Sequence, residues 1–224
     1  MALGTPTTLG ATQEASGASS ITSASVTPTP GAAVLIFVSN FASGSGPYSL
    51  SSTGFTNAPT FTLLTAGTIQ GALYYAIWPS NASGTGTFTV GFGSAVDTAI
   101  LTIVQVTGAG SFGATLASQA ASVSTLTSSW SATTTGSDCM VVATSDGNLS
   151  ASAVTPNTPT NYTDRPNSDA SFSNTYATGI GVAYRVNAVE SSMTGTTPST
   201  VTQLRNIGIE VLPPPPTSGF LAFM

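Results

Sequence analysis

The residues Ile21–Ser39, ITSASVTPTPGAAVLIFVS, return 105 positions later without a gap as Leu126–Thr144, LTSSWSATTTGSDCMVVAT. Four of the 19 pairs are identical (Thr22/Thr127, Ser23/Ser128, Thr29/Thr134 and Gly31/Gly136), and the apolar run 34–38 falls on the apolar run 139–143. A glycine precedes the run in both copies, where a turn into a strand uses its backbone freedom. The far ends repeat at the same displacement: Val104-Gln105-Val106 falls on Ile209-Glu210-Val211, a polar residue between two β-branched ones. Between them, Tyr74-Tyr75-Ala76-Ile77 meets Ala183-Tyr184-Arg185-Val186 at a displacement of 109, so the copies differ in loop length. A chain of this kind folds as two versions of one unit.

That unit is made of strands. Short apolar segments bounded by Gly, Pro, Asn and Ser predict strands over 21–27, 33–41, 60–65, 72–78, 85–92 and 99–107. A second set is predicted over 122–133, 139–144, 161–165, 178–187, 199–204 and 207–212. Phe88, Val90 and Phe92 share one face of their strand, and Ile207, Ile209 and Val211 share one face with Glu210 opposite. No segment sets good helix formers at helical spacing. The expected fold is all-β: a jelly-roll-like β-sandwich built from two duplicated halves, or alternatively two tandem immunoglobulin-like sandwiches. The expected divisions are a flexible N-terminal arm (1–19), a first β half (20–108), a connection (109–121), a second β half (122–212) and a Pro-rich C-terminal arm (213–224).

Charge narrows the function. Of 224 residues 5% are charged, where about a quarter is usual. There is no Lys and no His, and the cations are Arg165, Arg185 and Arg205. Between Glu14 and Asp97 lie 82 residues without a formal charge. Three scattered Arg and a net charge of -5 supply no basic stripe for nucleic acid or for anionic membrane. Residues 1–20 lack a basic, then apolar, signal pattern, and no run reaches the ~18 apolar residues of a membrane helix. The lone Cys139, inside CMVVA, reads as a buried thiol.

Chemistry is equally constrained. Without His there is no Ser–His or Cys–His nucleophile and no ordinary zinc site, and without Lys no Ser–Lys dyad. Gly84-Thr85-Gly86 and Gly179-Ile180-Gly181 precede no helix and read as turn and strand glycines. Carboxylate pairs remain the one enzymatic route, with eight acids thinly spread. Asp164-Arg165-Pro166-Asn167-Ser168-Asp169 gathers oxygen ligands but lacks the spacing of a calcium loop, so a turn cluster is the plainer reading. Trp78 and Trp130 read as core residues, with sugar stacking as the functional alternative. The expectation is no enzyme, no catalytic residue, no cofactor and no metal.

The surface left by this composition is neutral and hydroxyl-rich. Edge strands are ordinarily guarded by charge, and this chain has almost none, so its edges should be covered or paired with neighbours. At the C-terminus, Pro213–Pro216 predicts a stiff polyproline spacer, followed by Phe220, Leu221, Phe223 and Met224. That tip reads either as a frayed end or as an apolar plug for a partner, each large side chain contributing roughly 1.5–3 kcal/mol when buried.

In these respects the chain resembles the Ser/Thr/Gly/Ala-rich β-sandwich virion proteins of tailed bacteriophages: capsid decoration (cement), head-fibre and minor tail proteins. The resemblance is carried by Pro30-Gly31-Ala32-Ala33-Val34-Leu35-Ile36-Phe37-Val38, by Tyr74–Ile77 followed by Ser83-Gly84-Thr85-Gly86-Thr87-Phe88-Thr89-Val90, and by Val104-Gln105-Val106-Thr107-Gly108. It implies a homo-oligomer bound to the major capsid protein on the outer head surface, assembled in the host bacterial cytoplasm, with no contact to nucleic acid or membrane. A tail, receptor-binding or carbohydrate-binding β-sandwich module is the alternative.

Overall fold

The structure, a computed structural model, describes residues 2–41, 48–66, 70–152, 154–165, 170–173 and 175–216. The regular structure in them is all strand. β1 (Thr7–Thr8), β2 (Gln13–Thr22), β3 (Ala33–Phe41), β4 (Ser49–Thr53), β5 (Thr62–Thr65), β6 (Gly71–Ile77) and β7 (Thr87–Val106) form one sheet. Its order is β1-β7-β3-β6-β5, with β2 and β4 also on β7. β8 (Ser111–Ser129), β9 (Cys139–Asn148), β10 (Thr163–Asp164), β11 (Ala170–Ser173), β12 (Ala177–Val186) and β13 (Ser192–Leu212) form the other, ordered β10-β12-β9-β13-β8 with β11 on β12. This is the expected all-β sandwich of two duplicated halves. The strands are divided by half, one sheet each, rather than interleaved between layers.

Backbone register repeats between the halves residue by residue. Ala33 pairs with Ile77 and Val106, and Cys139 pairs with Val186 and Val211 in the same arrangement. Thr22 lies opposite Thr89, and Thr127 opposite Thr194. Both pairs join their hydroxyls, at 2.9 and 2.8 Å. The displacement is therefore 105 for β2/β8 and β7/β13, 109 for β6/β12, and 106 for β3/β9.

The last value corrects the ungapped overlay of the apolar runs by one residue. Gly31 and Gly136, at φ 75° and 78°, match at 105. The second copy then has one residue more before its strand: Gly136-Ser137-Asp138-Cys139 against Gly31-Ala32-Ala33. A slip of one moves every side chain to the other face of a sheet. Here every residue of β3 and β9 is buried, so hydrophobicity does not alternate and could not expose the slip.

Three cores follow from that two-sided burial. The sheets pack through Ala33, Leu35, Phe37, Leu73 and Val104 of one half and Cys139, Val141, Ile180, Ile207 and Ile209 of the other. Tyr75 of the first half meets Phe112 of the second edge-on at 4.8 Å. One core shared by both copies rules out two independent tandem sandwiches. In addition, β7 bends after Phe92, and its first part folds over the outer face of its own sheet. Phe88, Val90 and Ile21 thereby pack on Val34, Ile36, Leu101 and Ile103. Trp78, Phe55 and Phe61 surround Phe88 at ring distances of 6.2, 5.0 and 5.5 Å. In the second half, Leu116, Trp130, Met140, Val142 and Met193 form the matching, smaller core.

Two expected loops are strands. Of the arm assigned to 1–19, residues 7–8 and 13–19 pair with β7, and of the connection at 109–121, residues 111–121 are the start of β8. Both are edge segments held by backbone bonding to one neighbour and built mostly of small Ala, Ser and Thr residues, so they carry little apolar signal. Pro213–Pro216 continues without regular structure, with Pro214 packed on Gly110, where a Cβ would lie 2.4 Å from its Cα.

Candidate functional site

β13 carries a fully buried cation. Arg205 precedes Ile207 and Ile209 on the inner face, so strand alternation directs it between the sheets, where it is 0% exposed. Its Nη2 donates to Gln70 Oε1 at 2.6 Å and to Gln203 Oε1 at 2.8 Å, and its guanidinium lies 6.0 Å from the centre of the Phe41 ring. Gln70 and Phe41 belong to the first half and Gln203 to the second, so the cation ties the two sheets together. Burial pushes the Arg205 pKa down to about 10, partly offset by Tyr48 and Asp146, and it stays cationic at neutral pH. Asp146 points to the opposite face of β9, accepts from Asn148 Nδ2 at 2.8 Å, and is pushed up to about 7 by burial.

Among the described acids, the fold brings Asp138 and Glu210 together. Glu210, on the outer face of β13, accepts from the amides of Ala114 at 2.8 Å and Thr135 at 2.6 Å. Asp138, just before β9, lies against it, and both are buried. Burial and then the neighbouring Glu210 push Asp138 up to about 6. Burial also pushes Glu210 upward, but the amides of Ala114 and Thr135, together with the side chains of Asp138 and Thr135, hold its carboxyl below the ordinary value. Below pH about 6 the proton of the pair therefore sits on Asp138. Both carboxyls are almost wholly withdrawn from solvent and Glu210 is tied to two backbone amides, which is the setting of a structural pair rather than of two acids flanking a substrate. Sequence spacing could not bring 138 and 210 together, since their approach depends on the one-residue offset before β9.

The remaining sequence candidates stand as follows. Trp78 and Trp130 are buried, as is Cys139, whose thiol burial pushes up to about 12. Asp164 ends β10 and Arg165 donates to the carbonyl of Pro6, while residues 166–169 of that loop lie outside the described residues. So do Phe220, Leu221, Phe223 and Met224. Gly86 permits a close approach, since a Cβ would lie 2.0 Å from Thr53 O. Among the described residues no three His, Cys, Asp or Glu gather as a metal site, and no helix is long and apolar enough to cross a membrane. One cleft, about 400 Å³, is lined by Thr160, Tyr162, Arg185, Glu190 and Thr194, with Arg185 and Glu190 already paired to each other.

The most distinctive exposed feature is an edge. β8 terminates its sheet, and its 19 residues, SFGATLASQAASVSTLTSS, include no charge and no Pro. At one end Ser131 covers it, donating from its amide to Thr115 O at 2.7 Å while its hydroxyl accepts from Thr115 N at 2.9 Å. Thr115 therefore points its backbone groups away from β13, and by strand alternation Ala117, Gln119 and Ala121 do the same. No described residue bonds to the outward groups of these three. Comparison of the chain with protein-family models, with curated proteins and with solved structures finds no match.

Proposed function

We propose that this chain is a structural protein of a tailed-bacteriophage virion, a decoration or cement protein that sits on the outside of the head and bridges major capsid subunits. The observation that supports this reading is a three-core body with a nearly ion-free exterior: a single ion pair, Arg185–Glu190, occurs among the described residues. Such a surface meets a partner without the cost of desolvating charge. Acidic net charge suits the outer face of a shell better than the face that meets DNA. The protein acts by burying hydroxyl and apolar surface that a pressurised shell must expose in order to open. The tail or carbohydrate-binding alternative needs an aromatic platform, and both Trp side chains are occupied in the cores.

Mass spectrometry of separated heads and tails tests the assignment. The protein should be recovered with heads, and heads stripped of it should rupture at lower temperature. Recovery with tails alone refutes it.

A further inference from the structure

We propose that two copies of this chain join through β8, edge to edge and antiparallel, about a two-fold axis at Gln119. The inference deepens the reading of the chain as an assembly component and rests on it for context, but its argument is geometric. The free stretch is bounded on one side by Thr115, which Ser131 covers, and on the other by Ser122, whose φ of 56° bends the strand. Three residues between these limits, Ala117, Gln119 and Ala121, turn their backbone groups outward. Antiparallel pairing about Gln119 places Gln119 opposite its own copy and Ala117 opposite Ala121. Each is then a hydrogen-bonded pair exchanging two N–H···O bonds. The ladder joins the two second-half sheets into one.

The occupant is a second copy rather than a foreign strand because the duplicated edges differ in charge at one place. By register, β2 is the counterpart of β8 at a displacement of 105, and Gln119, opposite Arg205, corresponds to Glu14, opposite Ile100. A β2–β2 pair about the same point would set two carboxylates face to face, whereas a β8–β8 pair sets two amides face to face. Charge at an edge is the usual guard against self-pairing. One copy of the duplicated edge has the guard and the other lacks it, at the position where a two-fold partner would meet itself. Ala117 and Ala121 are exposed and small, so their side chains leave room for the approach.

Light scattering on the purified full chain, with hydrogen exchange resolved to single amides, tests this. The wild type is expected at twice the chain mass at tens of micromolar, with the amides of Ala117, Gln119 and Ala121 gaining protection as concentration rises. Gln119→Glu, which copies the β2 edge, and the pair Ala117→Lys with Ala121→Lys are the variants. Dissociation in either, with the far-ultraviolet dichroism of the wild type retained, supports the pairing. A monomeric wild type, a dimer that survives both variants, open-ended oligomers, or a dimer without protection at those three amides overturns it. A monomer in solution would leave capsid attachment untouched, so this failure and that of the proposed function are distinguishable.

Discussion

Amidation of the two acids in the Asp138–Glu210 pair should move stability in opposite directions. In the folded chain Asp138 keeps its proton up to pH about 6, whereas its ordinary value is 3.8. Between those values the native state binds more protons than the unfolded state, so stability falls as pH rises. Two pKa units correspond to an order of 2–3 kcal/mol given up by pH 7. Asp138→Asn keeps the shape, keeps a donor toward Glu210 at every pH, and removes the second charge. The expected gain at pH 7.5 is about 2 kcal/mol, or roughly 4–8 °C in Tm for a chain of this size, with little change at pH 4.5.

Glu210 behaves the other way. Its folded pKa is lowered, so its contribution is present above its ordinary value of 4.5 and is lost as pH falls through the folded value. Glu210→Gln replaces one acceptor oxygen with an amide that faces the N–H of Ala114 or Thr135, at a cost of about 1–3 kcal/mol near neutral pH. Thermal and urea melts of wild type and both variants at pH 4.5 and 7.5 read these values. Asp146, pushed up to about 7, adds a slope of the same sign as Asp138 in every protein, so the differences between proteins are decisive. Two variants that destabilise alike, or an Asp138→Asn gain that does not depend on pH, would refute the placing of the proton on Asp138.

Other expectations concern the junction between the halves. Arg205→Ala should cost on the order of 3 kcal/mol in urea titrations by opening a cavity and stranding Gln70 and Gln203, and Arg205→Met should cost about half of that. Phe37→Ala should cost about 3–5 kcal/mol and lower the midpoint of both halves together. Fluorescence of single-Trp variants, with Trp78 reporting the first half and Trp130 the second, should show one midpoint; two separate midpoints would contradict a shared core.

The duplication and the strand content were legible because both leave periodic marks: apolar runs between turn residues, and motifs such as Val104-Gln105-Val106 that return at 105. What was illegible followed from burial and bonding that sequence does not record. β3 is buried on both faces, so its apolar run carries no phase and concealed the extra residue before β9. β2 and the first part of β8 are held by backbone bonds at an edge, so ASGASS and ATLASQAAS resemble linkers although both are strands. Arg205 was visible as a cation but not as a buried one, because its partners Gln70 and Gln203 are uncharged. The Asp138–Glu210 pair needed the register of β9 on β13 before it could be seen. The C-terminal apolar tip lies outside the described residues.

The same duplication permits a prediction about assembly size. If Glu14 guards β2 as argued, two copies brought together there would hold carboxylates about 5 Å apart, a repulsion of about 1–3 kcal/mol depending on how much water remains between them. Glu14→Gln removes that repulsion and gives the β2 edge the residue found at the matching place on β8. The β2 edge is then as unguarded as the β8 edge, and β2–β2 contacts can link β8–β8 dimers in series. Light scattering of Glu14→Gln should show masses above the dimer that grow with concentration, and adding Gln119→Glu should cap them at a dimer joined through β2 instead. A Glu14→Gln protein with the wild-type mass at every concentration would mean that the carboxylate is not what separates the two edges.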